Sequence, residues 1–373
     1  MGIRKNGGTG WSLWVWRTTA TLVSCHLALS IVGCHKSFLD LALFASGGER
    51  APYQYRILTA WILRLFGTAG PVVRVARLLP PPYSDPYSLV QIGMTATGML
   101  ISILATRRSL EALSGGWSYS AWASLLVPYF AYFHFALPYG LNFILPYDVP
   151  SLCFFSLALY AIIVRNSVAF YATFVVGTLN RETMLFAVVP FAIWQLVDAS
   201  AAPVPGGRRR AFGHAVAQVT AWLLVRILIV KVFASHAAAG EAAGGLVIFH
   251  LKDNLRSVLK PYHWPLLASC FGFLLPLVIN YRRLIEDARL RLAVQIVLPA
   301  WLAVMLVVGA MLEIRIFAEL IALVALAAGL IGRRLPSYLA DNHSKLQRQR
   351  VATPAVEIDG GPADGDPRAH ALP

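Results

Sequence analysis

Val168–Val197 reads VAFYATFVVGTLNRETMLFAVVPFAIWQLV and is apolar throughout except near its middle, where Asn180, Arg181 and Glu182 stand together. How this stretch is threaded decides the topology on either side of it. A single crossing puts the Arg208-Arg209-Arg210 triplet outside and inverts every later segment. A hairpin that enters and returns leaves Arg107 with Arg108, Arg165, the triplet, Arg282 with Arg283 and Arg333 with Arg334 on the side of Arg4 and Lys5. Lysine and arginine gather at the cytoplasmic ends of membrane spans, and the hairpin satisfies that rule for all of these groups. Each arm is a little short for a full crossing, which predicts that the Asn180-Arg181-Glu182 tip sits below the outer surface, in a cavity.

The rest of the chain fits this frame. Hydrophobic residues make up 57% and charged residues only 13%, far from the roughly quarter-charged makeup of soluble domains. Long apolar runs approach the roughly 17 to 25 residues that cross a hydrocarbon core about 30 Å thick. They lie near Trp11–Gly33, Ser88–Thr106, Ala121–Leu137, Val149–Val164, Phe212–Ala234, Trp264–Asn280, Ala293–Met311 and Ile316–Gly332. With the hairpin arms they predict an all-α, polytopic transmembrane bundle of roughly ten spans with both termini cytoplasmic. Strand alternation is absent, so helices rather than a barrel must satisfy the backbone. The net charge of +14 comes from residues scattered at the ends of apolar runs, a pattern of topology and not of nucleic-acid binding.

Two segments stand apart from the spans. Ile57–Leu79 is interrupted by Arg64, Arg74 and Arg77, while Leu58, Trp61, Ile62, Leu65 and Phe66 keep helical spacing, which predicts a helix lying in the interface within a first outer loop of about 34–87. The tail from 336 to 373, rich in Gly, Ala, Pro and Asp toward its end, lacks a periodic apolar face and is expected to be disordered and cytoplasmic, leaving 1–335 as the membrane domain. The apolar run after Arg4 and Lys5 is too long for a signal-peptide core and reads as a retained first span.

With the threading set by arginines, the remaining charged motifs fall at one face. Asp40 and the run Pro52-Tyr53-Gln54-Tyr55-Arg56 belong to the first outer loop, Tyr147-Asp148 to the second outer turn, Asn180-Arg181-Glu182 to the hairpin tip and Glu313-Ile314-Arg315 to the last outer turn. Arg226 lies in the outer half of its span, deep enough to meet Glu182 or a substrate phosphate. Almost nothing acidic is expected in the inner half of the spans. Acids and arginines together suit an anionic ligand, with arginines as fixed donors and a carboxylate free to act as base. Each piece also has a plain structural role: Asp40 as the solvated end of a span, Glu49-Arg50 as an exposed turn, Tyr53 and Tyr55 as aromatic anchors. Cys25, Cys34, Cys153 and Cys270 follow no zinc or disulfide spacing, and His134 suits a hydrogen-bonded core position.

At Ala51–Leu58, Tyr147–Leu152, Leu179–Thr183 and Glu313–Phe317 the chain resembles polytopic glycosyltransferases of the GT-C class and the small bacterial membrane proteins related to them. The resemblance implies a multi-pass protein of the bacterial inner membrane that takes a sugar from a polyprenyl-phosphate donor and passes it to a glycan or lipid acceptor on the outer face. It implies Asp40 as first choice of base and Glu182 as second, with Arg56, Arg181 and Arg315 as candidates for the lipid phosphate. No D-x-D or E-x-D pair accompanies Asp40, so a divalent cation has no paired-acid motif to hold it and no metal ligand is assigned. Tyr53, Tyr55, Asp148, Asn180, Arg226 and Glu313 complete the candidate substrate-binding set. A transporter or flippase of an anionic or lipid-linked solute, or a polysaccharide polymerase or assembly protein, would share the same topology.

Overall fold

The computed structural model describes residues 10–34, 38–49, 52–137, 145–201, 206–233 and 250–352, without the side chains of 201, 346 and 348–352. All regular structure among the described residues is helical. The chain divides into two compact units, Met1–Arg333 and Arg334–Pro373. In chain order the α-helices are α1 (Gly10–Cys34), α2 (Leu41–Ser46), α3 (Ile57–Gly67), α4 (Gly70–Ala76), α5 (Pro86–Ser114), α6 (Trp117–Ala123), α7 (Leu126–Ala131), α8 (Asp148–Ile163), α9 (Ser167–Asn180), α10 (Val188–Ala201), α11 (Gly207–Val232), α12 (Leu251–Val258), α13 (Trp264–Ala268), α14 (Leu275–Tyr281), α15 (Ala288–Val308) and α16 (Ile321–Ala352).

Among the described residues six helical stretches are long and apolar enough to cross a membrane: Gly10–Cys34, Pro86–Ser114, Glu182–Ser200, Gly207–Val232, Ala288–Val308 and Ile314–Lys345. Two more of the expected spans, α8 with 16 residues and α9 with 14, are apolar but shorter. Ala121–Leu137 and Trp264–Asn280 depart from expectation, because neither is one continuous helix. The first breaks between α6 and α7 and widens into a π-helical turn at Tyr132–Ala136. The second is interrupted where Phe271, Gly272 and Phe273 all take positive φ, a region costly for residues bearing a Cβ. The two broken segments pack on each other, with Phe271 6.0 Å from Phe130 and 4.8 Å from His134 between ring centres. A Cβ on Gly272 would stand 2.3 Å from the Tyr129 ring, so the close approach requires glycine there.

The hairpin expected at Val168–Val197 is present. Arg181 is extended (φ −158, ψ 140) and separates α9 from the 3-10 turn Glu182–Ala187 that leads into α10. The arms return side by side: the Phe170 and Phe191 rings meet at 4.4 Å between centres, tilted by 32°, and at the base Arg165 binds Asp198 at 3.0 Å. Close to the tip Gly177 faces Met184 and Phe154, where a Cβ would meet atoms at 3.0 and 3.1 Å. At the tip Arg181 is buried and Asn180 wholly covered.

The first-loop segment expected to lie in the interface forms two helices, α3 and α4. Ala60 and Leu63 of α3 are buried while Trp61, Leu65 and Phe66 are exposed, the one-sided pattern of a surface-lying helix. At the centre of the first unit, residues Ile321–Ala328 of α16 are buried on every side, as a helix apolar all round must be. The tail expected to be disordered from 336 is instead helical through Pro336 to Ala352, and 353–373 lie outside the described residues. Good helix formers such as Leu339, Ala340, Lys345, Leu346 and Gln347 account for this.

Candidate functional site

Five separate pieces of chain bring eight charged side chains together at one end of the first unit. Asp148 opens α8, where the positive end of the helix dipole favours a carboxylate. Although only 3% exposed, it accepts from two arginines: Arg181 Nη1 reaches its Oδ1 at 3.1 Å and Arg315 Nη1 its Oδ2 at 3.0 Å. Arg181 also meets Glu319 Oε1 at 3.0 Å, and Arg315 Nη2 meets Glu313 Oε2 at 2.5 Å. The result is one continuous chain, Glu319–Arg181–Asp148–Arg315–Glu313.

A second group adjoins it through the Arg181-Glu182 peptide. Glu182 Oε1 accepts from Arg56 Nη2 at 2.5 Å, and its Oε2 lies 3.7 Å from Arg226 Nη1. The Arg56 and Arg181 guanidiniums sit 5.1 and 5.9 Å from the centre of the Tyr147 ring, which stands between the groups. Arg226 lies 5.5 Å from the Tyr55 ring, and Trp222, one turn earlier on α11, donates to the Glu182 carbonyl at 2.9 Å. Cation–π contacts of this kind help hold a guanidinium that has left water.

Asn180 fastens the tip. Its Oδ1 accepts from Thr59 at 2.6 Å, and its Nδ2 donates to the Tyr147 carbonyl at 3.0 Å and Ser151 Oγ at 2.8 Å. Every polar edge of this buried amide is used within the protein, so Asn180 positions the hairpin on α3 and α8.

Charge is balanced across the site: Arg56, Arg181, Arg226 and Arg315 face Asp148, Glu182, Glu313 and Glu319. Ion pairs so deeply buried stabilise little against desolvation, yet losing one partner strands a charge. Access is uneven. The Glu182 and Glu313 side chains are 33% and 30% exposed, whereas Arg56, Asp148, Arg181, Arg315 and Glu319 are at 10% or below. Glu182 and Glu313 are thus the members whose side chains are most exposed.

Of the residues singled out from sequence, Arg56, Asp148, Asn180, Arg181, Glu182, Arg226, Glu313 and Arg315 converge, and Tyr55 joins them through Arg226. Asp40 does not. Its carboxylate is the N-cap of α2, accepting from the backbone N–H of Ala42 at 2.9 Å and Leu43 at 3.0 Å, and it forms no ion pair with the network. Tyr53 packs edge-on against Phe38 at 5.3 Å, in a small apolar cluster under the first loop. Glu49 is buried instead of lying on an exposed turn, with its backbone N–H bound by the Gln54 side chain at 3.0 Å; Arg50 lies outside the described residues. His134 is a core residue, its Nδ1 2.9 Å from the Phe130 carbonyl.

Glu319 went unread in the sequence, as did Thr183, whose hydroxyl donates to it at 2.7 Å. The signal was there: Glu319 is the lone acid inside the apolar run Ile316–Gly332, and an ionisable residue in such a run marks a site by default.

The far ends of these helices carry acids as well. Glu111 pairs with Arg107 and Arg108 at 3.0 and 3.1 Å, and Asp198 joins Arg165 to Arg289, itself 2.5 Å from Asp287. Burial works against the Asp287 charge, but hydrogen bonds from Arg289 and from backbone N–H groups hold its carboxyl below the usual range. An apolar groove of about 590 Å³ along α9, lined by Ser167, Val168, Tyr171, Ala172, Val175 and Val176, contains no member of the network. No three His, Cys, Asp or Glu side chains among the described residues are placed to hold a metal ion. No family model, no curated protein and no solved structure matches the chain.

Proposed function

We propose that this chain is an integral-membrane glycosyltransferase that moves a sugar from a polyprenyl-phosphate donor to a glycan or lipid acceptor. The observation that carries the reading is Glu182, a carboxylate held between Arg56 and Arg226 on the most exposed side chain of the network. A transferase of this kind needs a base for the acceptor and cations for the departing phosphate. Glu182 takes the proton of the acceptor hydroxyl as that oxygen attacks the anomeric carbon. The carbon–oxygen bond to phosphate breaks, the electron pair leaves with the polyprenyl phosphate, and Arg56 and Arg226 offset its charge. Glu182 replaces Asp40 as the preferred base, because Glu182 stands beside two arginines that can offset the charge of a departing phosphate, whereas Asp40 caps α2 and forms no ion pair with the network. In this reading the fold is GT-C-like, the network end faces the extracytoplasmic side of a bacterial inner membrane, and the arginine-rich ends and both termini face the cytoplasm.

The pairing of every network arginine with a carboxylate favours a second reading, an ion-pair gate in a transporter or flippase of an anionic or lipid-linked solute. One experiment separates the two. Full-length protein in proteoliposomes is given radiolabelled polyprenyl-phosphate sugar and candidate acceptors. Transfer that disappears in Glu182→Gln supports the transferase; labelled lipid that changes leaflet with no transfer supports the gate. Cysteine labelling of Ser84→Cys from outside intact cells tests the orientation, which is wrong if only broken cells react.

A further inference from the structure

Between α11 and the broken segment that begins at Trp264 lies α12, whose sequence LKDNLRSV continues into Leu259 and Lys260. Leucines recur at 251, 255 and 259 and cations at 252, 256 and 260, so two parallel stripes run along neighbouring faces at the i, i+4 spacing of a helix. One side chain of the helix is buried, with Ser257 and Val258 half-buried on the same face. Asn254 is 4% exposed; its Nδ2 donates to the carbonyls of Leu306 at 2.8 Å and Gly309 at 2.6 Å, and its Oδ1 accepts from Met311 N at 2.9 Å. The His250 N–H adds a bond to the Val307 carbonyl at 2.8 Å. These bonds serve carbonyls that the end of α15 leaves open, and they latch α12 beside the turn that carries Glu313 and Arg315.

The leucine stripe points elsewhere. Leu251, Leu255 and Leu259 are 41%, 47% and 78% exposed, and Tyr262 and Trp264, just beyond, are exposed as well. Aromatic residues of this kind concentrate at the headgroup level of bilayers. A helix held to the protein by a polar latch, with leucines bare beside a row of cations, has the make-up of a helix seated in an anionic membrane surface. We infer that α12 is an interfacial anchor that binds anionic phospholipid, sinking Leu251, Leu255 and Leu259 among the acyl chains while Lys252, Arg256 and Lys260 meet headgroup phosphates. Seated there, it fixes through Asn254 the height of the Glu313–Arg315 turn relative to the membrane.

The test uses the full chain carrying Cys25→Ser and Cys34→Ser, with a single bimane-labelled cysteine at Leu255→Cys or, on the polar side, at Asp253→Cys. The protein is reconstituted into phosphatidylcholine vesicles with or without phosphatidylglycerol, each doped with a lipid spin-labelled high on its acyl chain. The bimane at 255 is expected to be quenched several-fold more than that at 253. Phosphatidylglycerol is expected to deepen the quenching, and the triple change Lys252→Gln, Arg256→Gln, Lys260→Gln to remove that increment. Equal quenching at the two positions overturns the anchor, and so does a probe at 255 shielded only as protein density rises, the mark of a second copy. Indifference to phosphatidylglycerol overturns the anionic preference. These readouts need no transfer activity, so they stand or fall apart from the proposed reaction.

Discussion

Arg181 and Glu319 meet at 3.0 Å, joining the tip of the hairpin to the 3-10 turn that enters α16. Both side chains have left water almost entirely, and their neighbours Asp148 and Thr183 complete the contact on either side. The pair ties the most intrusive charged segment of the chain to its most buried helix.

Glu319→Ala is therefore expected to destabilise the protein by about 3 kcal/mol, the lower end of what a broken buried pair costs, since Asp148 still faces Arg181. Adding Arg181→Met should recover part of that loss. Thermal unfolding of the purified variants in one detergent is the measurement, and a double variant less stable than Glu319→Ala alone would contradict the coupling.

Glu182→Gln is expected to abolish sugar transfer and, since it leaves the buried Arg56 guanidinium without its carboxylate, to lower the melting temperature as well; transfer is therefore measured at a temperature where the variant is still folded. Asp40→Asn should keep transfer, since asparagine caps a helix as well as aspartate does. Asp40→Ala should cost about 1 kcal/mol through the lost cap of α2, again with transfer retained. Loss of transfer in Asp40→Asn would return the base to Asp40.

Gly272→Ala places a methyl group against the Tyr129 ring at a backbone φ of +58. The expected loss is about 1 to 3 kcal/mol from the backbone conformation alone, with a further loss from the clash. A variant that melts with the parent protein would show that the packing of the two broken segments differs from that described.

The Asp287 cluster is expected to make one end of the bundle sensitive to acid. Its folded pKa lies below the ordinary value of 3.8, so its contribution is fully present above that value and is lost as pH falls through the folded pKa. Stability of the parent protein should fall more steeply below about pH 4 than that of Asp287→Asn, measured by unfolding across a pH series. Identical slopes would mean that Arg289 does not favour the Asp287 charge.

The sequence alone determined that the chain is helical and apolar enough to enter a membrane, that Val168–Val197 turns back on itself at Asn180-Arg181-Glu182, and that the charged motifs of four distant segments share one end. These features follow from local hydropathy and from where arginines can stand, both of which can be read residue by residue. Tertiary structure alone decided the rest. Ala121–Leu137 and Trp264–Asn280 are as apolar as any span, yet Phe271, Gly272 and Phe273 break one and a π-turn distorts the other, because they pack on each other. Asp40 and Glu182 look alike in sequence; one caps a short helix and the other stands between two arginines. Glu319 entered the site only when α16 was seen to begin beside Arg181. Pairing is a property of distance in space, and the partners of Arg181, Arg56 and Arg315 lie up to 167 residues away along the chain.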